Sequence, residues 1–488
     1  MISFALNGAE VMVPRDGSLL DALREQLGVR SAKDGCSPQG QCGCCTVWVD
    51  GQPRVACVTP VSRVRGRAVT TVEGLPESEA WGATFAAHGA SQCGFCTPGI
   101  VMRCAARPGD VRQALLAHMC RCTGWQTIVE AAERGPDATA TAPTGPSARA
   151  ELEGGVPQST GTQVALGRGG FADDTAPADA LVAVLGADGE WVVGETLAEA
   201  RQLSGKVQGR RTTAPLTWPV ELPAGDWART LRTTWVEPGY LEPDAAWCLP
   251  GGQPVSSHGN GGAFGGKQEG AVEQVARRLA DQHDRPVRVL YTREDVVRRG
   301  PKRPPLAAGV RADGTGVARV AATPGLDQLD VPGFQIEPVH VAGPPTSLAL
   351  RGAVAVELAV LRAALQPGPE YTVGPATARI DDDGTVHVGV DAGDPLDATV
   401  LRSYVIGAAH MALGWVTSEG LSVDADGQVH DLTIRSFGIL RAVDTPPIQV
   451  TISDGTGPAV AVSESVMAAV ATAAWARAGW VDSWPVGG

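Results

Sequence analysis

Five cysteines fall between residues 36 and 57, in Gly35-Cys36-Ser37-Pro38-Gln39-Gly40-Gln41-Cys42-Gly43-Cys44-Cys45-Thr46 and then Cys57. Thiolates are soft, strong metal donors, and a glycine-rich loop lets the backbone curl around a cluster where a side chain would clash. Three thiols in a tight loop with a distant fourth is the layout of a [2Fe–2S] site, C-x4-C-x2-C plus one. Here Cys36, Cys42, Cys45 and Cys57 give gaps of five, two and eleven residues, one residue longer in the first gap. These four are read as ligands and Cys44 as a bystander. A disulfide knot or a zinc site is the alternative use of such density.

A second group follows in Gln92-Cys93-Gly94-Phe95-Cys96-Thr97-Pro98-Gly99 and Cys120-Arg121-Cys122-Thr123-Gly124. Cys93, Cys96, Cys120 and Cys122 supply four more thiolates. On spacing alone, zinc or a redox disulfide competes with a second cluster. Cys104 reads as a helix-core thiol.

The elements that must hold these loops are legible around them. Ile2–Leu6 alternates as a strand, Asn7-Gly8 signals a hairpin turn, and Glu10–Val13 is its partner. Ser18-Leu19-Leu20-Asp21 resembles a capping box and opens a short helix that turns Leu19, Leu20, Leu23 and Leu27 to a core, with Gly28 as its stop. Thr46–Val49, Asp50-Gly51 and Arg54–Cys57 form a second hairpin. Residues Ile100–Ala106 and Val111–Met119 read as helices split by Arg107-Pro108-Gly109.

With 488 residues there is room for two to four domains. The 40 Lys and Arg against 53 Asp and Glu argue against nucleic acid or an anionic membrane as the main partner. No apolar run approaches a membrane span, and the first residues lack a basic region before an apolar stretch. Ten of the eleven cysteines precede residue 123, in clusters suited to metal ligation in a reducing compartment, so a cytoplasmic location is expected.

Taken in this order, the two cysteine sets resemble the iron–sulfur part of the molybdenum hydroxylase family, of xanthine dehydrogenase and aldehyde oxidoreductase type. The resemblance implies a multidomain α+β protein. Residues 1–75 would form a β-grasp, ferredoxin-like [2Fe–2S] domain and residues 76–135 a four-helix [2Fe–2S] domain. A linker rich in Ala, Thr, Pro and Gly would span 136–160, followed by a shortened mixed α/β molybdopterin-binding-like region over 161–488. It also implies that Cys122 lies near a pterin, with Gln92 as a neighbouring pterin contact. Further along, Tyr240-Leu241-Glu242-Pro243 resembles a family segment, and Gly261-Gly262-Ala263-Phe264-Gly265-Gly266-Lys267 is similar to its glycine loop. That loop makes Gly262, Phe264 and Gly265 cofactor contacts by resemblance. Leu350-Arg351-Gly352 resembles the family's arginine segment, and Val462-Ser463-Glu464-Ser465 stands where the family carries its active-site glutamate, which makes Glu464 the implied base.

The implied activity is molybdenum-dependent hydroxylation of an aldehyde or N-heterocycle with water as oxygen source. Electrons would leave through two [2Fe–2S] clusters to a flavoprotein subunit or soluble acceptor, and a homodimer is the implied assembly. Several family features have no counterpart here: a GQG motif, an SGGS-like stretch, and the strand and helix between Trp247-Cys248 and the glycine loop. Gln268 stands where purine-oxidising members tend to have Glu. A second function is therefore expected beside the first: an iron–sulfur electron-transfer subunit whose C-terminal region no longer binds molybdopterin and serves docking or assembly.

Overall fold

The computed structural model describes residues 1–13, 17–106, 109–205, 214–256, 262–267 and 270–486. The sequence readings that fall on Arg107, Pro108, Gly261 and Gln268 lie outside these.

The first unit is a five-stranded sheet in the order Ala9–Val13, Ile2–Leu6, Ala68–Thr70, Thr46–Val49, Gln52–Val55. Asn7 (φ 51°) and Gly8 (φ 87°) both take left-handed backbone, as a two-residue hairpin turn needs, and pair Leu6 with Ala9. Asp50 and Gly51 repeat the device at Val49 and Gln52. Ile2–Leu6 and Ala68–Thr70 run parallel, which closes the β-grasp pattern. The Ser18 hydroxyl accepts the Asp21 N–H at 3.1 Å and caps a helical turn that lays Leu19, Leu20 and Leu23 on the sheet. Each such buried side chain contributes about 1.5–3 kcal/mol.

Four helical segments follow: Ser78–Ala87, Thr97–Ala105, a short one from Val111, and Gln126–Arg134. The third is expected to run to Met119, yet it ends in a tight turn over Leu115–Ala117. His118 then goes extended because Met119 is drawn aside, its N–H donating to the Cys42 carbonyl.

Among the described residues, the C-terminal region holds two five-stranded sheets and one of four strands. Two helices, Ala398–Thr417 and Ser463–Arg477, pack against each other, and most side chains of both are buried. Within the stretch expected to be a linker, Ala148–Gly154 is helical, with Ala150 fully buried and Gly145-Pro146 paired to Ser159-Thr160. Among the described residues no helix is long and apolar enough to cross a membrane.

Candidate functional site

All five cysteines of the first set are buried, Cys36, Cys42, Cys44 and Cys45 to 1% exposure and Cys57 to 7%. Their thiols form a chain of contacts. Cys36 is hydrogen-bonded to Cys42 and Cys57, and Cys57 also to Cys45. Those bonds, Cys42 first, hold the Cys36 thiol well below its ordinary range, while Cys57 is pushed up. Peptide groups add to this: the Gln39 N–H points at Cys36 Sγ (3.1 Å) and the Cys57 N–H at Cys45 Sγ (3.4 Å). N–H donors aimed at sulfur stabilise thiolate charge and tune a cluster's potential. Cys44 also bonds to Cys42, so it stands beside the four without closing their chain.

The second set is assembled the same way from two segments. Cys93 and Cys96 precede the helix Thr97–Ala105, and Cys120 and Cys122 lie in the loop before Gln126. Contacts run from Cys96 to Cys120, on to Cys122, and from Cys122 Sγ to Cys93 Sγ at 3.7 Å. The two loops press together where neither could carry a side chain. A Cβ on Gly43 (φ 72°) would sit 2.6 Å from the His118 ring, and one on Gly99 2.4 Å from the Gly43 carbonyl.

Among the described residues, no three His, Cys, Asp or Glu side chains converge as one metal ion would require. The thiols instead pair along two chains of four, a donor arrangement that fits [2Fe–2S] clusters, whose two irons take two thiolates each.

Gln92 ties the second set to the C-terminal region, donating from Nε2 to the Cys122 carbonyl and to Ser403 Oγ, both at 3.0 Å. Gly262, Phe264, Gly265 and Arg351 gather on the far side of Cys122. A Cβ on Gly262 would lie 2.5 Å from Cys122 Sγ, and one on Gly265 1.8 Å from the Ala349 carbonyl. The Arg351 guanidinium stacks 3.8 Å above the Phe264 ring and donates to the Glu153 carbonyl at 2.7 Å. Lys267 of the glycine loop makes an ion pair with Glu242, whose carboxyl burial lifts to about 7 against the pull of Lys267. Glu464 lies in the first turn of Ser463–Arg477 with its side chain toward solvent.

Sequence reading missed Glu153. Its carboxylate accepts the N–H groups of Val462 (3.2 Å) and Ser463 (3.0 Å) and the Ser463 hydroxyl (2.6 Å), and it pairs with buried Arg149 at 3.0 Å. The four-residue spacing of Arg149 and Glu153 was the available signal. Arg121 and Glu419, joined by two bonds of 2.6 and 2.7 Å, share no such local spacing.

The space enclosed by Arg121, Glu237, Phe264, Arg303, Arg351 and Glu419 is about 20 Å³. That holds about one water, whereas a cofactor-sized ligand needs roughly 300 Å³ or more. Of the implied pterin contacts, Phe264 and Arg351 line this space, and in this arrangement it is too small for molybdopterin.

Buried thiol sets on a β-grasp sheet and a helical unit, joined to a large α/β region, define an iron–sulfur protein of multidomain α+β build. Residues 71–133 match the [2Fe-2S] binding domain family. The chain is 38% identical over 151 residues to the isoquinoline 1-oxidoreductase subunit alpha of Brevundimonas diminuta, covering 28% of this chain and 96% of that one. It is 40% identical over 146 residues to the aldehyde oxidoreductase of Megalodesulfovibrio gigas, covering 26% of this chain and only 16% of that protein. The fold matches the solved aldehyde oxidoreductase from Desulfovibrio gigas with a TM-score of 0.70 at 16% identity, over 100% of this chain and 99% of that one. The chain belongs to the molybdenum hydroxylase family.

Proposed function

We propose that this chain is an iron–sulfur electron-transfer member of the molybdenum hydroxylase family, with Cys36, Cys42, Cys45 and Cys57 holding one [2Fe–2S] cluster and Cys93, Cys96, Cys120 and Cys122 the other. The observation that carries this is the pairing of eight buried thiols in two chains joined through the Met119–Cys42 hydrogen bond. The clusters supply one-electron redox chemistry. The protein supplies burial, N–H donors at sulfur, and the fixed approach of the two loops. As the Brevundimonas relative is a subunit, a molybdopterin-bearing or flavin-bearing partner chain, or a soluble acceptor, fits this role.

A second reading is supported by the match of the whole chain to a complete aldehyde oxidoreductase fold. In it Gly262, Phe264, Gly265, Arg351, Gln92 and Cys122 would part to hold molybdopterin, which would supply the hydroxylation chemistry for an aldehyde or N-heterocycle, with Glu464 as the implied base. That reading requires the 20 Å³ space to open.

Metal analysis separates the two. Four iron and four acid-labile sulfides per chain without molybdenum support the electron carrier. Molybdenum in near-equal amount to the chain would overturn it and put Glu464→Gln to the test, with a loss of turnover of about 10²–10⁴-fold expected for a general base.

A further inference from the structure

We propose that Gln39 is a positioning residue: through its side chain the C-terminal region fixes the backbone donors at Cys36 Sγ and so sets the reduction potential of the first cluster. This deepens the electron-transfer reading above and rests on it.

The cluster loop does not hold itself. Ser37 takes left-handed backbone (φ 54°), which a residue with a Cβ adopts at a cost, and Gly40 (φ 72°) does the same three residues on. Within this turn the Gln39 N–H points at Cys36 Sγ at 3.1 Å, and the Gln41 N–H is directed at the same sulfur. Two peptide donors thus converge on one thiolate from a stretch whose conformation needs outside support.

That support comes from far along the chain. Gln39 is 7% exposed. Its Nε2 donates to Glu294 Oε1 at 3.0 Å and to the Leu432 carbonyl at 2.9 Å, and its Oε1 accepts the Ile434 N–H at 3.3 Å. These partners belong to the helix Arg293–Arg299 and to the tight turn Ile434–Phe437 with the residues before it. Both ends of the loop are held by the same two segments: Arg293 donates to the Gly35 carbonyl at 2.7 Å and Arg435 to the Gln41 carbonyl at 2.9 Å.

Gln39 therefore joins two things in one residue, a side chain locked to the C-terminal region and an N–H aimed at a candidate ligand sulfur. Donors at sulfur favour the reduced, more negative cluster and raise its potential. In the second set the Cys120 thiol meets Thr123 Oγ1 at 3.3 Å, three residues away in its own loop. The second cluster is thus an internal control.

The test is an EPR-monitored redox titration of the full-length holoprotein, wild type beside Gln39→Met. The substitution keeps the side-chain length and removes its three hydrogen bonds. The first cluster is the one whose signal Cys36→Ser removes. Its one-electron reduction constant should fall about tenfold in Gln39→Met, which is about 59 mV, while the second cluster's potential stays as in the wild type. An unmoved first-cluster potential, or an equal fall in both clusters, overturns the proposal and leaves the electron-transfer reading standing. A wild type without two EPR signals overturns that reading and the proposal together. Should Gln39→Met not assemble the first cluster, the wild type in D₂O decides. The exchangeable proton seen by ENDOR at its reduced first cluster should persist for hours, as a clamped N–H does, and loss within minutes overturns the proposal.

Discussion

The peptide N–H of Met119 donates to the carbonyl of Cys42 across 3.0 Å, so one backbone hydrogen bond joins a candidate ligand of the first set to the residue before Cys120 of the second. His118, one residue earlier, packs on Gly43 and reaches Thr46 Oγ1 at 3.1 Å. Burial takes its imidazole down to about 3, so it remains neutral near the thiolates at any physiological pH. The two loops are thereby held face to face.

That geometry assigns separate outcomes to the cysteines. Cys36→Ser or Cys57→Ser breaks the middle of the first thiol chain and is expected to remove one of two EPR signals. Cys44→Ser leaves the chain of four closed and should retain both. Loss of a signal in Cys44→Ser would show that the ligand set is wrongly drawn.

Gly99 tests the contact between the loops. An added Cβ meets only backbone, the Gly43 carbonyl at 2.4 Å and Cys44 atoms at 2.9 Å, and backbone cannot move aside as a flexible side chain can. Gly99→Ala is expected to cost about 1–3 kcal/mol in denaturant unfolding. It should also slow electron equilibration between clusters after a flash or rapid-mixing reduction. Wild-type stability and rate in this variant would contradict the close approach.

Arg149 and Glu153 make a different kind of demand. Both side chains are fully buried, and Glu153 also satisfies the open N–H groups at Val462 and Ser463. Removing one partner leaves a buried charge unpaired, for which about 3–5 kcal/mol is typical. Arg149→Met should therefore unfold at clearly lower denaturant. The double variant Arg149→Met/Glu153→Gln should recover part of the loss, because no charge is stranded. If the single and double variants are equally unstable, packing and not pairing accounts for the effect.

How much of this was legible depended on sequence distance. Cysteine spacing and the Asn7-Gly8 and Asp50-Gly51 turns are local signals, and the structure forms the hairpins they imply. Spacing overextends the helix from Val111 because its end is set by a bond to Cys42, far back in the chain. The stretch around Ala148–Gly154 reads as featureless since its apolar content is low. Its helix is held instead by Arg149 bonds to the carbonyls of Asp394, Pro395 and Val460, more than two hundred residues on. The resemblance located Gly262, Phe264, Gly265 and Arg351 in one place, but periodicity and spacing carry no information about whether such groups stand apart or pack shut.

Glu357 gives a pH signature that does not depend on metal content. Its side chain is fully buried, and burial raises its carboxyl from an ordinary value near 4.5 to about 8, with Arg303 pulling the other way. Between those two values the folded chain keeps a proton that the unfolded chain has released. Unfolding then releases a proton, so stability is fully present below about pH 4.5 and is lost as pH rises toward 8. The slope from this one group is at most about 1.4 kcal/mol per pH unit. Glu357→Gln is neutral at every pH and keeps the shape, so its unfolding free energy should fall less steeply between pH 5.5 and 8 than that of the wild type. The two curves should diverge in favour of the variant at the alkaline end. Parallel curves across that range would mean that Glu357 is ionised in the folded protein, paired with Arg303 and not held neutral beside it.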